Sequence, residues 1–140
     1  MDDDAGQGGR QIEAIVAGAL FELRKAQERA DILGAILQAA GRFEAVCAVI
    51  RSSDSPEALV SGLAELLGVG DAAGTAVANM QLKLLAPYRH RLMVGEYDEL
   101  SAGIADLKSV LESPERQRML IGTERGDYLV ACGLRDSAAQ

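Results

Sequence analysis

The sequence has no tryptophan, two phenylalanines, three tyrosines, one histidine, two cysteines and three prolines among 140 residues. Each shortage excludes something. With so few rings the core must be aliphatic and rich in alanine, which suits helices better than sheets. β-branched residues are scattered, and Tyr128-Leu129-Val130 is the only short β-like run. His90, between Arg89 and Arg91, has no carboxylate or thiol at ligand spacing, and Cys47 and Cys132 lie far apart, so no metal site and no cofactor are expected. Cys47 reads as a small buried hydrophobe. No signal peptide and no apolar run long enough to cross a bilayer is evident, which points to a cytoplasmic protein with no membrane partner. Basic residues are also in deficit, 14 Lys and Arg against 21 Asp and Glu, for a net charge of −7. Nucleic-acid affinity rests on clustered cations that release counterions, so strong DNA binding by this chain alone is not expected.

What is present is periodicity. Ile12, Val16, Ala19, Leu23, Ala26, Ala30, Leu33, Leu37 and Ala40 recur at steps of three and four, and so do Met93, Tyr97, Leu100, Ile104, Leu107 and Leu111. Such spacing puts each set on one seam of a helix, as at the a and d positions of a coiled coil. The first seam is rich in Ala and lets a neighbour come close; the second carries longer side chains. An intramolecular antiparallel pair follows as the economical arrangement.

Punctuation divides the rest. Ser55-Pro56-Glu57 and Ser113-Pro114-Glu115 each read as N-cap, first helical residue and first-turn acid. Pro87 marks another start, without a capping side chain at Ala86. The stops predict six helices, at about 11–40, 43–51, 56–67, 71–84, 87–112 and 114–123. The fold class is all-α, a long antiparallel coiled-coil helix pair with a small globular helical knob. Residues 1–10 read as a disordered acidic tail, 11–125 as the helical coiled-coil domain, to which the resemblance below adds dimerisation, and 126–140 as a C-terminal tail.

The stretches FELRKAQERADILGAIL (21–37), FEAVCAVIRSS (43–53), ANMQLKLLAPYRHRLMVGEYDEL (78–100) and LESPERQRMLI (111–121) resemble the A subunit of bacterial DNA gyrase and topoisomerase IV, in its coiled-coil arm and the knob that closes its far end. The resemblance runs from about Glu13 to Ile121. It implies a homodimerisation domain, the exit gate of a type IIA topoisomerase, with the symmetric contact around Met80, Leu82, Leu84 and Leu85; the other reading of those four is ordinary knob core. There are departures. The basic run that usually precedes FELRK is replaced by Ala17-Gly18-Ala19-Leu20, the usual Arg after Met80 is Gln81, the usual His-Ile-Leu-Glu reads Asp31-Ile32-Leu33-Gly34, and the usual Thr-x-x-Glu capping box reads Ala86-Pro87-Tyr88-Arg89.

Strand breakage in that family requires a nucleophilic tyrosine on a winged-helix domain. Tyr88, Tyr97 and Tyr128 have no such context, and Tyr97 falls on the second seam, so catalytic residues are expected to be absent. The glycine pattern from Gly68 to Gly74 suggests a dinucleotide loop, but it follows a helix instead of a strand; a helix stop and a start capped near Gly70 is the better reading. Arg125-Gly126-Asp127 reads as a turn. The leading expectation is thus a non-catalytic dimerisation module, a homodimer, and its sharper version has the chain pair with a full-length gyrase or topoisomerase IV A subunit and so modulate gyrase. The alternatives are a non-catalytic piece of a split topoisomerase and an adaptor unrelated to DNA.

Overall fold

A computed structural model describes residues 2–139. Seven helices follow one another: α1 (Asp2–Gly41), α2 (Phe43–Ser52), α3 (Pro56–Leu67), α4 (Asp71–Ala78), α5 (Pro87–Glu112), α6 (Pro114–Met119) and α7 (Glu124–Ala139), with a 3-10 turn at Leu82–Leu85. No strand occurs among the described residues, and the fold is all-α. No single described helix is long and apolar enough to cross a membrane.

The capping residues act as their types require. Ser55 Oγ accepts from the Ala58 N–H at 3.0 Å, and Ser113 Oγ from the Arg116 N–H at 3.2 Å. Gly68 ends α3 in the left-handed region, with φ 66°. The α4 helix stops at Ala78, short of the expected residue 84: Asn79 leaves helical geometry at φ −102° and ψ 3°, and its side-chain amide donates to the Thr75 carbonyl at 2.9 Å. The chain then tightens into the 3-10 turn.

α6 stops at Met119, short of the expected residue 123, and both ends of the described chain also differ from the sequence reading. α1 begins at Asp2, where residues 1–10 read as a disordered tail. Once a helix is nucleated, each added residue gains a hydrogen bond for the two dihedrals it fixes, so a long helix extends into a segment that would not nucleate alone. Residues 126–140 read as a C-terminal tail, and 124–139 form α7 instead. Thr123 starts it, its hydroxyl accepting from the Gly126 N–H at 3.0 Å, with Glu124 and Asp127 in the first turn. The β-like Tyr128-Leu129-Val130 therefore lies within a helix, and Arg125-Gly126-Asp127 is its first turn, not a free turn.

The chain forms two compact units. In the central unit, 28–100, one cluster gathers Leu33, Ile36 and Ala39 of α1, Val46 of α2, Leu63 and Leu67 of α3, Val77 of α4 and Met93 of α5. Arg42 donates to the Leu66 carbonyl at 2.8 Å, and Arg29 pairs with Glu96 at 3.0 Å. In the terminal unit, which joins the chain up to Gln27 with the chain from Ser101, Ile15 and Ala19 of α1 meet Leu107 of α5 and Leu129 of α7. Gln117, buried, donates to the Val110 and Leu111 carbonyls at 3.0 and 3.2 Å and so satisfies the open end of α5. Asp106 of α5 receives Arg116 at 2.9 Å and also Arg125, which ties α5 to the chain on both sides of the α6–α7 turn.

Those two guanidinium hydrogen bonds, Arg116's the larger influence, hold the Asp106 carboxyl below the usual carboxylate range. A carboxylate with a depressed folded-state pKa adds stability that is fully present above its unfolded pKa and fades as pH falls through the folded one. Asp106→Asn should therefore flatten the acid limb of the stability profile below about pH 4. Thermal melts from pH 7 to pH 2.5 check this; an unchanged acid limb would show that the bridge is inert.

Candidate self-association surface

Two of the four predicted contact residues face inward: Met80 and Leu84 pack against the central core. Leu85 is half-buried, whereas Leu82, at the head of the 3-10 turn, is 76% exposed, more than any other large hydrophobe among the described residues. Tyr88 and Leu92 are 54% and 63% exposed, and lie one turn apart on one side of α5. Sequence reasoning missed both. The signal available was the pair's i, i+4 spacing, roughly 100 to 140° around α5 from Met93. Between them the Arg89 Nε is buried without a hydrogen-bond partner. Lys83, His90 and Arg91 are exposed nearby in sequence.

The seam residues divide by depth. Ala30, Leu33, Met93 and Leu107 are buried, while Leu23, Ala26, Leu37, Leu100, Ile104 and Leu111 are half-buried, and Tyr97 is 37% exposed. The Tyr97 ring lies over Gly34, where a Cβ would sit 3.4 Å from it, an ordinary contact distance. In the terminal unit the most deeply buried α1 positions are Ile15, Gly18 and Ala19, of which Ala19 alone lies on the Ile12 and Val16 seam. Here α7 supplies the reason: a Cβ on Gly18 would overlap the Leu129 carbonyl, and one on Gly133 would lie 3.1 Å from the Gly18 nitrogen. The small residues that stand where a basic run was expected are the seat of a helix.

Around that seat Glu22 Oε1 accepts from the Cys132 thiol at 3.1 Å and the Tyr128 hydroxyl at 3.3 Å. Burial first, then the Glu22 hydrogen bond, pushes the Cys132 thiol pKa up, so this cysteine stays a thiol instead of a nucleophile. Cys47 is half-buried. Among the described residues no group of three or more His, Cys, Asp or Glu is placed to hold a metal. The glycine pattern does end one helix and start another, with Gly70 as the N-cap of α4. It borders a cleft of about 600 Å³ whose charged lining residues are Glu28 and Asp31, the wrong sign for a phosphate.

The architecture defines the class: an all-α scaffold in which two long helices are shared between small clusters of short ones. No family model matches the chain. Over 114 residues, 81% of the chain, it is 42% identical to the DNA gyrase A subunit of Streptomyces coelicolor, and over the same share 38% identical to that of Mycolicibacterium smegmatis. To the gyrase A subunit of Mycobacterium tuberculosis it is 36% identical over 119 residues, 85% of the chain. It spans only 13 to 14% of the length of these relatives. The chain is homologous to a segment of the DNA gyrase A subunit, and so resembles part of a topoisomerase.

Proposed function

We propose that this chain is a non-catalytic dimerisation module of gyrase A type, acting in the cytoplasm, and that two copies meet through Leu82, Tyr88 and Leu92. The observation that carries the reading is Leu82, a long aliphatic side chain left three-quarters in water in the segment where the resemblance puts the symmetric contact. The tyrosines fit packing roles: Tyr97 covers Gly34, Tyr128 donates to Glu22, and Tyr88 belongs to the surface itself. None is assigned to strand breakage.

The 42% identity supports a second step, pairing with a full-length gyrase A subunit through the same surface. A mixed dimer would carry one subunit's breakage machinery in place of two. Incubating the chain with purified gyrase from its own cells should give a mixed species by native mass spectrometry, together with a fall in supercoiling as the chain is titrated in. Supercoiling that holds steady with no mixed species, at concentrations where each partner exchanges with itself, would overturn this step and leave self-pairing alone.

A further inference from the structure

The proposed pairing surface lies in the longest acid-free stretch of an acidic chain: residues 72–95 contain no Asp or Glu, and they hold Lys83, Arg89, His90 and Arg91. Lys83 follows Leu82. Arg91 stands three residues after Tyr88 and next to Leu92, on the side of α5 that carries both. Lys83 and Arg91 are exposed. Elsewhere Arg24, Arg29, Arg116 and Arg125 each face a carboxylate. Among the described residues Lys83, Arg89 and Arg91 face none, and Glu96, the next acid along α5, is held by Arg29. Their placement also opposes the fold. The first turn of α5 has no acidic residue, and cations at a helix N-terminus meet the positive end of its dipole. Arg89 adds a buried Nε without an acceptor. No carboxylate inside the chain offsets these charges.

We propose that this surface selects its mate by charge: it meets its own copy at a penalty and pairs preferentially with a subunit that sets carboxylates opposite Lys83 and Arg91. The inference rests on the reading that pairing runs through Leu82, Tyr88 and Leu92. A two-fold contact brings the same patch of both copies together, so the cations around those anchors face the same cations. Like charges set against each other disfavour a pair, and an opposed carboxylate removes that cost while the apolar contacts stay as they are. A nucleic-acid backbone would meet the cations too, but its phosphates would leave Leu82, Tyr88 and Leu92 in water, so a protein surface fits better.

Mixing tests the selection directly. Wild-type chain and an isotope-labelled double variant, Lys83→Glu with Arg91→Glu, are combined in equal amounts at low salt, and native mass spectrometry reads the paired species after exchange. The mixed pair should exceed its statistical half share, with an equilibrium constant about tenfold above random pairing, the scale of several exposed charge pairs acting together. In 1 M salt the excess should vanish. Net charge alone predicts the opposite sign, because the variant is more acidic than a chain already at −7. The control is Lys108→Glu with Arg118→Glu, the same change at exposed cations of the terminal unit, which should give no excess. Arg91→Glu alone should act in the direction of the double variant with a smaller effect. Statistical mixing of wild type with the double variant would overturn the inference while leaving the pairing reading intact, and an equal excess with the control would do the same. No paired species of any composition would overturn the pairing reading and this inference with it. A duplex DNA oligonucleotide bound by wild type and lost by the double variant, with mixing still statistical, would overturn the protein partner in favour of nucleic acid.

Discussion

Leu63→Ala will lower the stability of the chain by about 2 to 5 kcal/mol, the range for deleting a buried leucine side chain beyond its Cβ. Leu63 is 0% exposed, in α3, and shares one cluster with Val46, Leu67, Ala73 and Val77. The loss has two parts, the transfer energy of three carbons and the cavity they leave. The cavity part should be near its upper range because the neighbours cannot collapse into it. The core is aliphatic and partly alanine, with Ala39 and Ala73 too short to move in, and α3 already meets α4 at close quarters, where a Cβ on Gly74 would sit 3.0 Å from the Val60 carbonyl. Urea unfolding followed by circular dichroism gives the number; a loss under about 1 kcal/mol would mean that the central cluster is not the core described.

On the proposed pairing through Leu82, Leu82→Arg will weaken self-association by about a hundredfold, the scale of losing a hot-spot contact and leaving a charge in its place. It will leave the melting temperature of the isolated fold unchanged, since a residue 76% exposed contributes little to folding. The separation of those two effects is the useful part. Leu84, two residues on, packs inward, and its replacement would confuse folding with pairing. Tyr88→Glu and Leu92→Glu should act in the same direction with smaller effects. Equilibrium sedimentation of the variants checks the order; association unaffected by Leu82→Arg would remove the surface from the account.

The starts of α3 and α6 and the stop of α3 were legible because they depend on single residues whose chemistry is local. Ser55, Pro56, Ser113 and Pro114 act within one turn, and Gly68 reports its own backbone. The seams were legible in part. Leu33, Met93 and Leu107 are buried, but the buried side of α1 is wider than one seam, since it takes Ile36 and Ala39 into the central cluster and Ile15 and Gly18 into the terminal one. A seam pattern assumes one partner helix, and α1 has several. α7 was hidden for a different reason. Its fit depends on Gly18 and Gly133, residues over a hundred positions apart whose complementarity no local pattern records. The start at Thr123, with Glu124 and Asp127 in the first turn, was the available sign. Of the proposed pairing surface, the sequence marks Leu82 by position, whereas Tyr88 and Leu92 enter only through the exposure of α5.

One measurement bears most directly on the central proposal, that this is a self-pairing module: the native mass of the purified chain at micromolar concentration, by sedimentation or native mass spectrometry. The account predicts a species of two 14.8 kDa chains, converted to single chains by Leu82→Arg. A single 14.8 kDa chain across that concentration range, unchanged by the substitution, would contradict it.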